Sequence, residues 1–293
     1  MIIAIVGPTA AGKTEASLEL ADRLGGPEAV EIIGADAMQL YRGMDIGTAK
    51  LPAGERRGIN HHQIDVLDIS EEASVVAYQR HARADLDAIV TRGRIPVIVG
   101  GSGLYVSALL DEIDFPGTDP AVRAKYEAMA GELGAERLHE MLAGIDPVSA
   151  TVIDPRNVRR VVRALEVNEI TGRSFQPRFP RHTSHYPDTV VYGIAADPAE
   201  LAPRIDRRTR AMFDSGLIEE TRGLRERGLD TAPTAATATG YAQALAVLDG
   251  RMSEPEAMED VSAATRKLVK KQLTWFRSDP RITWVPAGEP LPA

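Results

Sequence analysis

The chain has 293 residues, 44% hydrophobic and 26% charged, which is enough for one large or two modest domains with a true core. Its 34 basic and 42 acidic residues leave a net charge of −8, which argues against indiscriminate coating of nucleic acid but permits a local basic face. The sequence has no cysteine, which excludes disulfides, thiolate metal sites and cysteine nucleophiles; with no apolar run long enough to span a bilayer, the expectation is a cytoplasmic enzyme.

The opening MIIAIV is too short for a secretory signal and has neither a basic flank nor a cleavage site, so it reads as a buried first strand over 2–6. A glycine loop follows, then a helical stretch over 13–24. AVEIIG (29–34) predicts a second strand ending at Asp36, and 75–91 an amphipathic helix that leads into the strand IPVIVGG (95–101). Apolar strands alternating with helices imply a parallel sheet covered on both faces, with ligands bound beyond the carboxyl ends of its strands. Gly7 to Thr14, Asp36 and Ser102 all follow strand ends and are expected in one crevice.

The pattern changes over 116–187. Charge-rich helical segments dominate there, and Pro116, Gly117, Pro120, Pro177, Pro180 and Pro187 punctuate the two ends. This predicts a helical insertion domain at 116–187, with 1–115 and 188–293 forming one core. TVVYGIA (189–195) resumes the sheet. Helices are expected over 198–214, 217–227 and 240–249, and a long one from Ser253, with a capping-box pattern to Glu256, to about Arg277. ITWV (282–285) is a last strand.

Gly7, Pro8, Thr9, Ala10, Ala11, Gly12, Lys13 and Thr14 match the G-x-x-x-x-G-K-[ST] loop, with a strand before it and a helix after. Such a loop curls its amides around anionic oxygens at a helix N-terminus, Lys13 neutralises phosphate charge, and the Thr14 hydroxyl is placed to ligate Mg²⁺. The match gives a P-loop NTPase-like α/β fold but not the identity of the polyphosphate. No guanine-reading N-K-x-D is present, and VIVGGSG carries no carboxylate at its strand end, which weakens an ATPase reading and leaves a small-molecule kinase as an alternative. Asp36, just past a buried strand, could be a general base, a Mg²⁺ partner or a helix cap.

GPTAAGKT, DAMQLYRGMDIGTAK, IPVIVGGSGLY, RALEV, GLIEE with GY downstream, and KKQLTWFR occur in that order. Together they resemble the tRNA dimethylallyltransferase (isopentenyl transferase) family from about Ile3 to Trp284. The resemblance implies transfer of a dimethylallyl group from dimethylallyl diphosphate to the exocyclic amine of adenosine 37, on the 3′ side of the anticodon. It makes the loop a cradle for a leaving diphosphate and Asp36 the proton acceptor, and it places Ser102, Lys13 and Arg208 at the diphosphate end. It further implies that Asp36, Ala37, Met38, Gln39 and Ser102 meet the target nucleotide, which must leave its stack to be reached. On the residues alone, Ser102 reads rather as a turn hydroxyl and Arg208 as a solvated helix charge.

Arg156, Arg159, Arg160 and Arg163 fall on one helix face, a solvated stripe or an anion-facing one. The resemblance favours contact with the anticodon stem-loop at Arg159, Arg160 and Arg163, with Arg123, Gly240 and Tyr241 as further tRNA contacts; Arg266, Lys267, Lys270 and Lys271 are an additional basic cluster. Ala242 departs from the family's usual basic or long polar residue. His61 and His62 read as structural, Trp275 and Trp284 as core, and the chain as a monomer.

Overall fold

The computed structural model describes residues 1–175 and 182–292. β1 (Ile2–Val6) alternates its side chains between two covered faces: Ile2, Ala4 and Val6 enter one apolar cluster, Ile3 and Ile5 the opposite one. It pairs in parallel with β4 (Ile95–Gly100) on one side and β5 (Thr189–Ala195) on the other. β2 (Val30–Gly34) and the two-residue β3 (His61–His62) extend the sheet past β4, and β6 (Ile282–Pro286) extends it past β5. The order β3-β2-β4-β1-β5-β6 is wholly parallel, as the continuous apolar strands require.

α2 (Val75–Thr91) and α3 (Gly103–Leu110) cover the first face with Tyr78, Leu86, Tyr105 and Leu109. α1 (Lys13–Arg23) and α8 (Pro198–Asp214) cover the second with Leu18, Leu20, Leu201 and Ile205. α9 (Leu217–Glu226), α10 (Tyr241–Leu248) and α11 (Glu254–Arg277) build a separate cluster with Tyr41 and Met44 of the long connection after β2. At the start of α11, Glu256 accepts from the Ser253 amide at 2.8 Å. Trp275 and Trp284 pack on the first cluster, as expected of core residues.

The chain divides into two compact units, Met1–Asp111 with His182–Ala293, and Glu112–Arg181. Both joins lie a few residues earlier than the predicted 116 and 187. Asp111 is fully buried, it bridges Ser184, and the Leu110 carbonyl accepts from the His185 amide at 2.8 Å, so these flanks belong to the first unit. The second unit has its own core, with Tyr126, Leu138, Leu142 and Leu165 among its members. It is drawn from α4 (Pro120–Leu133), α5 (Ala135–Ile145), α6 (Pro147–Val152) and α7 (Val158–Thr171). Pro177 and Pro180 lie outside the described residues.

Candidate active site

The loop between β1 and α1 lies at the carboxyl end of the central strand, where the connections of β1, β2 and β4 meet. Gly12 adopts a left-handed conformation (φ 93°) as it turns the chain into α1. A cleft of about 700 Å³ opens there, and its wall takes Thr9, Ala10, Gly12, Lys13 and Thr14 from this loop. Asp36, Met38 and Gln39 line it from the end of β2, and Arg208 from α8. Pro8 contributes its carbonyl, which accepts from Lys13 Nζ at 2.7 Å, and Ala11 turns into the core. The crevice expected from the sequence is therefore assembled from three distant segments.

Its electrostatics suit a polyanion. Protein packed around Lys13 lowers its pKa to about 8, a shift that the Asp36 charge opposes and Arg208 reinforces. Arg208 is likewise lowered by burial and partly restored by Asp36. Two desolvated cations beside one carboxylate leave an excess positive charge facing the cleft. Arg208 Nη1 donates to Thr9 Oγ1 at 3.1 Å, which aims the guanidinium at the loop. Asp36 caps no helix: residues 37–40 form a turn, and its Oδ1 accepts from the Met38 amide at 2.9 Å. That bond orients the carboxylate and leaves it in the cleft wall.

Several expected site residues lie elsewhere than in the cleft wall. Tyr241, read as an RNA contact, is wholly buried: its hydroxyl donates to Glu220 Oε1 at 2.5 Å and accepts from the Gly47 amide at 3.2 Å. Gly240 is buried beside it. Arg123 and Arg163 turn onto Glu166, whose side chain has no exposure, at 3.1 and 2.8 Å. A buried carboxylate requires such partners. Burial opposes its charge, yet Arg163, the Asp119 amide and Arg123 together hold its pKa below the ordinary value. Ser102 stands at the start of α3, its hydroxyl making no capping bond, one residue beyond the Val99, Gly100 and Gly101 that line the cleft. Ala37 packs on the core and is not among the cleft-lining residues. Arg159 and Arg160 are exposed on α7, and Arg156 pairs with Asp154.

Reasoning from the sequence missed the residues that shape the connection after β2. Glu220 accepts from the Ile46 amide at 3.0 Å as well as from Tyr241. Gly47 lies against the Tyr241 ring, where a Cβ would stand 2.4 Å from a ring carbon. Lys50, almost fully buried, binds Asp45 and Asp65 at 2.6 Å and the Tyr41 carbonyl at 2.8 Å. The resulting loop presents the Thr48 carbonyl, which accepts from Gln39 Nε2 at 3.1 Å. The signal in the sequence was Lys50 at the end of the polar, glycine-rich DAMQLYRGMDIGTAK and the paired Glu of GLIEE. His62 pairs with Glu31 at 2.6 Å at the sheet edge, a structural role as expected.

A parallel sheet with a phosphate-type loop at its central strand, opening on a carboxylate and two desolvated cations, defines a P-loop-like fold whose cleft suits an anionic group. The chain belongs to the IPP transferase family, whose family model matches residues 39–279. It is 54% identical over 288 residues to the tRNA dimethylallyltransferase of Nocardia farcinica, covering 98% of this chain and 91% of that protein. Among solved structures it resembles the tRNA isopentenylpyrophosphate transferase of Bacillus halodurans (41% identity, TM-score 0.70, 98% of this chain and 89% of that one). It also resembles a eukaryotic dimethylallyltransferase acting on tRNA (25% identity, TM-score 0.78, 98% and 73%).

Proposed function

We propose that this enzyme transfers the dimethylallyl group of dimethylallyl diphosphate to the exocyclic N6 amine of adenosine 37 in tRNA. The observation that carries this reading is the convergence of the loop, Lys13, Arg208 and Asp36 on one cleft. The N6 lone pair attacks the allylic C1, the C1–O bond to diphosphate breaks with its electron pair leaving on oxygen, and Asp36 takes the N6 proton. The amine is a poor nucleophile because its lone pair is delocalised, so a positioned base assists it. The leaving group gathers negative charge, which Lys13, Arg208 and the loop amides stabilise; the arginine fork suits diphosphate oxygens.

Mg²⁺ is part of the proposal. Among the described residues no cluster of three or more His, Asp or Glu side chains could cage a metal alone. The Thr14 hydroxyl, which lines the cleft, is a hard oxygen donor suited to a Mg²⁺ shared with the diphosphate. When bound, the ion neutralises the departing oxygens. Exposed Arg159 and Arg160 are the α7 residues suited to tRNA phosphates. Among the described residues no helix is long and apolar enough to cross a membrane. A cytoplasmic, monomeric enzyme is part of the proposal.

The kinase alternative is not favoured, because the family is one of prenyl transfer. Incubation with unmodified tRNA and labelled dimethylallyl diphosphate, beside γ-labelled ATP, tests the choice. Label is expected in RNA from the prenyl donor alone; label moved only from ATP would overturn the proposal.

A further inference from the structure

The site as derived uses a cradle on one strand end and a carboxylate on another, and its chemistry requires a fixed distance between them. Gln272, on α11, spans the gap. Its Oε1 accepts from the Thr9 amide at 2.9 Å, inside the phosphate loop, and its Nε2 donates to the Gly101 carbonyl at 2.9 Å. A Cβ on Gly101 would stand 2.6 Å from that Nε2, so the absence of a side chain there is what admits the bridge. The bridge continues through backbone: the Ser102 amide meets the Ala35 carbonyl at 3.4 Å, and the Ala35 amide donates to Val99 at 2.8 Å. Asp36 is the next residue. On the other side, Thr9 carries the Arg208 contact on its hydroxyl.

We propose that Gln272 is a positioning residue for transfer, holding the diphosphate cradle and the Asp36 carboxylate at their working separation. This rests on the prenyl-transfer reading above. An amide is the group the place demands, since one end must accept from N–H and the other donate to C=O. A carboxylate could serve only the first and an apolar side chain neither. Gln272 lines the cleft without being needed to neutralise charge. Its loss should therefore leave donor affinity largely intact and disturb alignment, to which transfer rates are steeply sensitive.

The test compares wild type with Gln272→Met and Gln272→Glu. Active sites are first counted by stoichiometric binding of labelled dimethylallyl diphosphate, and single-turnover transfer to saturating tRNA is then timed per occupied site. Gln272→Met is expected to keep donor Kd within about threefold while its rate per site falls by about tenfold to a hundredfold. Gln272→Glu, which keeps the Thr9 contact and loses the Gly101 one, is expected to lose rate as well. Unchanged rates per counted site in both variants would overturn the proposal, whatever their yield or Tm. If wild type binds no prenyl donor, the reading of the site fails instead.

Discussion

Lys13 supplies a quantitative test of the cradle. In the free protein its ammonium has a pKa of about 8, because packing desolvates it more than the Asp36 charge compensates, with Arg208 adding repulsion. A bound diphosphate would restore the charge, so the donor selects the protonated lysine. The sign follows: affinity is highest below pH 8 and falls above it as the free enzyme loses the proton. With Kd proportional to 1 + 10^(pH − 8), Kd rises about tenfold between pH 7 and pH 9 and about ninetyfold by pH 10. At pH 9, binding should take up about 0.9 proton per donor. The terminal phosphate of an allylic diphosphate is already ionised over this range and does not contribute. Calorimetric titration with an unreactive thiolodiphosphate analogue, at constant Mg²⁺ and in buffers of differing ionisation enthalpy, reads both quantities. Lys13→Arg, charged throughout, should flatten the profile. A wild-type Kd that stays level from pH 7 to 10 with no proton uptake would refute the reasoning.

Other substitutions separate chemistry from architecture. Asp36→Asn should lower transfer by about 10²- to 10⁴-fold with donor Kd nearly unchanged; equal loss in both would place Asp36 in donor binding, contrary to its role as base. Gly47→Ala forces a methyl against the buried Tyr241 ring and should cost about 1–3 kcal/mol in urea unfolding, a loss that wild-type stability would contradict. Arg159→Ala with Arg160→Ala should raise KM for tRNA and reduce the log–log salt slope by about 1.4–1.8. Arg163→Ala should instead lower stability, since it removes a partner of buried Glu166, with little change in that slope.

The strands and most helices were legible because each carries its own contrast: β-branched runs for β1, β2 and β4, and apolar periodicity for α2 and α8. α3 escaped because GLYVSALL is nearly all buried and offers no polar face against which to read a helical period. β3 escaped because two histidines at an edge carry no strand signal. At the site, the local motif was sufficient for the phosphate loop, whose residues act together. The burial of Tyr241 was not legible because a motif does not report it, and its hydroxyl partner Glu220 lies twenty-one residues away. Gln272 and Thr9 are 263 residues apart, and only the folded sheet brings α11 against the loop.

The most direct measurement is a crystal structure with the unreactive thiolodiphosphate donor and Mg²⁺. The account requires the diphosphate within the Gly7–Thr14 loop, Lys13 Nζ moved from the Pro8 carbonyl onto its oxygens, and the allylic carbon facing the Asp36 side of the cleft. A diphosphate bound elsewhere, or an allylic carbon turned away from Asp36, would contradict it.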